Sequence, residues 1–126
     1  LDHAHTNTVR LLNRFMQHSR YREILSADRR LHEVPFYFEI NGGTKTGYID
    51  LLYQKNGSWR LIDFKTDRIQ NEVALQQILA EKDYRQQVLE YGTAVQQLMG
   101  VSAELELCWL DYSGSVHFTT VGPIEG

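Results

Sequence analysis

The stretch from Gly47 to Asp67, "GYIDLLYQKNGSWRLIDFKTD", carries two apolar runs around an Asn56-Gly57 pair, with one aspartate inside each run. Asn-Gly between such runs is a strong hairpin signal, because both central positions of a type I′ turn need positive φ. A two-residue turn there pairs Lys55 with Ser58 and every earlier residue with the one whose number completes 113. Asp50 then faces Asp63. Directly opposed residues have Cβ atoms about 4.5 to 5.5 Å apart, so two like charges repel and weaken the sheet. The period of two adds Lys65 to the same face, one step beyond Asp63 and opposite Tyr48. It also puts Ile49, Leu51, Ile62 and Phe64 on one face and Leu52 and Leu61 on the other, which predicts a sheet covered on both sides.

A carboxylate in a run such as "LIDFK" is costly unless it is paired or liganded; isolated, it takes up a proton instead. Lys65 offsets part of the repulsion between Asp50 and Asp63. A divalent cation offsets more, since Mg²⁺ is typically held by one or two carboxylates, keeps several waters and sits beside phosphate. The alternative reading is a strand-end acid, or an ion pair with Lys65.

Upstream, "EVPFYFEI" is rich in aromatic and β-branched residues and runs into Asn41-Gly42-Gly43, the pattern of a strand closed by a turn. Before it, "TNTVRLLNRFMQHSRYREIL" offers Thr6, Asn7 or Thr8 as caps. The apolar positions that follow are at helical spacing and predict one helix from about Thr8 to Leu25. Downstream, Asn71 to Met99 lacks proline and ends at Gly100, a helix C-cap residue; it reads as one long helix or as two broken near Lys82-Asp83. "AELELCWLDY" and "SVHFTTV" form a last hairpin around Ser113-Gly114. The order α-β-β-β-α-β-β predicts an α/β chain of the α+β kind, a mixed sheet with helices on both faces.

The 126 residues suit a single domain, 1-126. No segment approaches the roughly 18 to 20 apolar residues of a membrane span, so no membrane partner is expected. The chain opens at Leu1 without the pattern of a signal peptide, which reads as a piece of something longer. Cys108, the one cysteine, sits among apolar residues in "LELCWL" as a buried small hydrophobe, consistent with a reducing, cytoplasmic setting. The net charge of −3 argues against generic binding of polyanions, but residues 1–32 hold six arginines against three acids. Arg10, Arg14, Arg20 and Arg22 could therefore face a phosphate backbone or an acidic partner; a solvated helix face is the plainer reading.

The Asp of "GYIDLLY" followed thirteen residues later by "DFKTD", with "EVPF" before and "YRQQVLEY" after, resembles the PD-(D/E)XK nuclease superfamily. The likeness is strongest to the C-terminal nuclease domain of RecB-type and AddA-type helicase-nucleases and runs from about Arg30 to Gly114. The resemblance implies a restriction-endonuclease-like core. It implies Asp50 and Asp63 as metal-binding acids, the Phe64 carbonyl as a further metal ligand, and Lys65 as the catalytic lysine. Tyr84 and Gln87 match the family's Tyr-x-x-Gln helix motif; Tyr84, Gln87 and Tyr91 also form one helical stripe, whose alternative is two core tyrosines with a buried glutamine. Glu33 matches a Glu-x-Pro-Phe position with a supporting role.

The implied cofactor is Mg²⁺, with Mn²⁺ as substitute, and the implied reaction is hydrolysis of DNA, as single strand or duplex ends, during recombinational repair. The implied partners are a helicase domain in the parent chain and a second subunit of a helicase-nuclease complex; the rival is a catalytically silent DNA-end-binding module. Family members usually carry a metal-binding His on an upstream helix in a Gly-Thr-x-x-His-like context. No such motif occurs here, and none of His3, His5, His18, His32 or His117 takes that role; the ligand is expected upstream of Leu1.

Overall fold

A computed structural model describes residues 3–122 of the chain. Five strands form one sheet in the order β1-β2-β3-β4-β5: β1 Arg29–Ile40, β2 Gly43–Lys55, β3 Ser58–Ile69, β4 Ala103–Tyr112 and β5 Ser115–Val121. All neighbours are antiparallel except β3 and β4, which run parallel. A parallel pair needs a crossover, here made by helices α3 (Glu72–Glu81) and α4 (Tyr84–Met99). The mixed sheet with helices is the restriction-endonuclease-like arrangement expected.

Three turns of the same chemistry set the hairpins. Asn41-Gly42, Asn56-Gly57 and Ser113-Gly114 all have positive φ at both positions, from 47° to 84°, as type I′ requires. Asparagine and serine tolerate the left-handed region and glycine enters it without steric cost.

Both sheet faces are covered. Leu52, Leu61, Leu107 and Trp109 pack with Leu75, Leu79, Val88 and Val95 of α3 and α4. Leu51, Tyr53, Ile62, Cys108 and Leu110 pack with Leu11, Phe15 and Ile24 from the N-terminal helices. At Gly92, α4 lies so close to β4 that an added Cβ would stand 2.8 Å from a Leu105 methyl carbon. Gly100 closes α4 at φ 70°, and the break at Lys82-Asp83 makes the predicted segment two helices.

Two expectations need correction. The single helix from Thr8 to Leu25 is instead α1 (His3–Met16) and α2 (Ser19–Leu25). His18 adopts an extended backbone, and its Nδ1 accepts the Arg20 N–H, capping α2. That local bond competes with continued helix.

The second correction concerns register. The 113 rule holds from Lys55↔Ser58 to Leu51↔Ile62, and there the β2–β3 ladder stops. Asp50 and Asp63 are therefore not a ladder pair. Next to this point the β1–β2 pairing skips Glu33, which sits at φ 49° between His32↔Leu51 and Val34↔Ile49. Strand β2 changes face there: Ile49 joins the α4-side core while Leu51 joins the α1-side core. Strict alternation had put those two together. The local break frees the Asp50 carboxylate to accept the Phe64 N–H at 2.9 Å, in place of a ladder bond.

Candidate active site

Asp63 and Lys65 extend from β3 toward α4, on the face occupied by Leu61. Asp63 is 5% exposed, and Lys65 Nζ lies 2.8 Å from its Oδ2. Beyond that ion pair, Oδ2 is a buried side-chain oxygen with no hydrogen-bond partner among the described residues. Burial pushes the Asp63 carboxyl up to about 6; Lys65 opposes the rise, and Asp50 adds to it. The two acids thus meet across the end of the ladder through their side chains, which preserves the expected repulsion without the expected pairing.

Lys65 is held from three directions. Besides Asp63, it donates to Gln87 Oε1 at 3.1 Å and sits 4.0 Å from the centre of the Tyr84 ring, a cation–π contact. The helical stripe read from spacing therefore faces this group. Tyr84 and Gln87 both touch Lys65. Tyr91 packs edge-on against Phe36 at 4.8 Å, and burial, then Asp63 and Asp50, push its hydroxyl up to about 12.

Further residues stand around this centre. Asp67, two steps beyond Lys65 on β3, accepts the Tyr84 hydroxyl at 3.0 Å and the Lys82 ammonium at 2.7 Å. The period of two that found Lys65 also marks Asp67. Partial burial raises the Asp67 carboxyl, but the bonds from Lys82 and Tyr84 outweigh it and hold it below the usual range. Because the folded value lies below the unfolded one, this contribution is in force above the unfolded value and fades as pH falls through the folded one. Tyr84→Phe keeps the ring beneath Lys65 and removes one of Asp67's partners. The expected result is an upward move of the Asp67 carboxyl titration by NMR; an unmoved titration would show the hydroxyl is not its partner.

A cleft of about 710 Å³ opens onto this group, lined by Tyr84, Gln87, Tyr91, Phe36, Lys45 and Glu90 among others. Neither Asp50 nor Asp63 lines it. Glu90 is one helical step from Gln87, buried, and holds Lys45 at 2.9 Å across the cleft. Gly47 lies under the Phe36 ring, 2.7 Å from where a Cβ would stand.

Other expectations fare differently. Glu33 is exposed at its strained φ, beside the position of Asp50. Three histidines have structural surroundings: His18 caps α2, His117 stacks on Tyr112 at 4.3 Å, and His32 is exposed on β1. The side chains of His3 and His5 lie outside what is described. The basic N-terminal segment is not a free positive face. Arg14 donates to the Leu110 carbonyl and pairs with Asp111, while Arg20 grips Glu106 with both terminal nitrogens, at 2.6 and 3.1 Å. No described helix is long and apolar enough to cross a membrane.

Two carboxylates, one with a buried oxygen lacking a hydrogen bond, suit a hard cation that keeps several waters. No group of three His, Cys, Asp or Glu gathers among the described residues, so the side-chain share would be Asp50 and Asp63 alone.

A search of curated proteins finds no match. A family model described as "PD-(D/E)XK nuclease superfamily" matches residues 3–116. Since that span takes in the hairpin, the Asp63–Lys65 step, the Tyr84–Gln87 helix and the whole parallel crossover, the chain belongs to the PD-(D/E)XK nuclease superfamily.

Proposed function

We propose that the chain is the metal-dependent nuclease domain of a RecB/AddA-type helicase-nuclease, hydrolysing DNA phosphodiesters during the processing of broken ends. The observation that carries this is the buried Asp63 with its oxygen lacking a hydrogen bond, held between Asp50 and Lys65. A carboxylate kept there against desolvation and a like-charged neighbour has a use for a cation.

Asp50, Asp63 and, by the resemblance, the Phe64 carbonyl would hold Mg²⁺ or Mn²⁺. Bound there, the ion supplies Lewis acidity and an acidified water. The protein's own groups do the rest. Lys65 directs an ammonium proton at the attacking water or the charged phosphoryl oxygens, and Gln87 and Tyr84 keep that ammonium from swinging away. Asp67 and Lys82 anchor the Tyr84 hydroxyl. Exonuclease action, recombinational repair, the helicase partner and a second subunit follow from the RecB/AddA likeness and belong to this reading, as does a cytoplasmic setting.

Titration calorimetry with Mn²⁺ tests it. Uptake by the wild-type chain that Asp63→Ala removes is the expected result; no uptake at all would leave the silent DNA-end-binding module of the same fold. With the segment upstream of Leu1 restored, Lys65→Ala should retain metal uptake and lower DNA cleavage by about 10² to 10³-fold, the usual loss for one donor to a developing oxyanion. Cleavage at the wild-type rate would remove Lys65 from the chemistry.

A further inference from the structure

A second cavity, of about 620 Å³, lies between α1, the end of β3 and the β4–β5 turn, with Arg10, Arg14, Arg68, Thr66, Asn7 and Asp111 in its wall. Three guanidinium groups meet one carboxylate there. Asp111 is already engaged with Arg14 at 3.2 Å, and Arg14 also donates to the Leu110 carbonyl at 2.8 Å. Among the described residues Arg10 donates to a neutral amide oxygen, that of Asn7 at 2.6 Å. Arg68 has no hydrogen bond or ion pair among the described residues. Asp111, the ladder partner of Arg68 and already paired with Arg14, is the one carboxylate of the lining, so two of the three planar cations are left in excess around this concave polar space, in a chain whose net charge is −3. Such a space concentrates anions, and guanidinium donors match phosphate oxygens in pairs.

The cavity joins the catalytic group through consecutive residues of one strand. Lys65 faces α4, and the next residue, Thr66, lines the cavity on the α1 side. Beyond Ile62, β3 has no ladder partner on its β2 side among the described residues, and the Asp50 carboxylate takes the Phe64 N–H in place of a ladder bond.

We propose that this cavity binds a backbone phosphate of the DNA strand next to the one presented to Lys65, with Arg10 and Arg68 as the direct contacts and Arg14 as a positioning residue fixed by Asp111. The proposal rests on the nuclease reading for the identity of its ligand. It gives a place to the arginine-rich N-terminal segment: Arg20 serves the fold, while Arg10 serves the substrate.

The test is binding of a fluorescein-labelled oligonucleotide to the full chain in EDTA across a range of salt concentrations, so that no metal or turnover enters. Arg10→Ala with Arg68→Ala should weaken binding about tenfold and flatten the logarithmic salt slope by about one, the share of one neutralised phosphate. Arg22→Ala, which removes an exposed arginine outside the cavity, should keep the wild-type slope. An unchanged thermal midpoint in the double variant separates lost contact from lost fold. If its fold is impaired, the charge-keeping Arg10→Lys with Arg68→Lys takes its place, expected to bind more weakly at the wild-type slope. A double alanine variant with wild-type affinity and slope would overturn the proposal, as would a wild-type chain that does not bind the probe. A flattened slope in a protein that never cleaves DNA even with the segment upstream of Leu1 restored would keep the cavity and reject the nuclease; cleavage with an unchanged slope would do the reverse.

Discussion

Asp63→Asn is expected to lower metal-dependent DNA cleavage by about 10³-fold or more, since metal-ion stabilisation is worth several kcal/mol, while making the metal-free protein more stable. The second half follows from burial. In the folded chain the Asp63 carboxyl is pushed from 3.8 to about 6, chiefly by desolvation. A group whose folded value is raised resists ionisation in the native state, so stability is lost as pH rises from the unfolded value through the folded one. Above about pH 6 the full cost is present, on the order of 3 kcal/mol from the size of the shift. Asparagine keeps the shape without the charge. Lys65 loses its ion pair but keeps Gln87 and the Tyr84 ring, so the expected net gain is roughly 1 to 2 kcal/mol at pH 8. At pH 4 the gain should nearly vanish. Urea unfolding of the metal-free proteins at both pH values checks it; a variant less stable at pH 8 would remove the desolvation argument.

Glu106→Ala should have the larger effect on folding, a loss of about 3 to 5 kcal/mol, as expected when one partner of a buried ion pair is removed. Glu106 is 2% exposed on β4 and receives the Arg20 fork and a bond from Arg60 at 3.3 Å. The Arg20 guanidinium also lies 4.2 Å from the centre of the Phe118 ring. Burial lowers the pKa of Arg20, but its bonds to Glu106 more than reverse this. Nearby, Tyr53 donates to Glu23 at 2.7 Å, so the network fastens α2 to the sheet. With Glu106 gone, Arg20 keeps the Phe118 ring and, at 3.7 Å, Glu23. Replacing the pair together, Arg20→Met with Glu106→Leu, should recover most of the loss, because the two most buried charges go together, while Arg60 keeps Glu104 and Glu23 keeps the Tyr53 hydroxyl. The urea midpoint measures both variants; a double variant no better than Glu106→Ala would mean that the pair's partners, not its charges, hold α2.

Asp63 and Glu106 show how far a sequence can be read. Each is an acid inside an apolar strand, the same local signal, and only Asp63 drew notice, because an Asn-Gly turn tied it to Asp50. Nothing near Glu106 points to Arg20, which is 86 residues away. The stripe of Tyr84, Gln87 and Tyr91 was legible since helical spacing alone puts the three on one side. That Lys65 would be their neighbour was not.

What the sequence determined by itself was local. Three X-Gly turns, the period of two along β3, the helical stripe and the Gly100 cap depend on steric rules acting over a few adjacent residues. These yielded a mixed sheet covered on both faces, and the four motifs pointed to the nuclease superfamily. Tertiary structure alone decided where the β2–β3 ladder ends, which way Ile49 faces, which arginines pair inside the protein and which open into a cavity. Each of these depends on residues far apart in the chain, whose packing and charge pairing can override a local pattern: Asp50 leaves its ladder position for the Phe64 N–H, and Arg20 leaves solvent for Glu106.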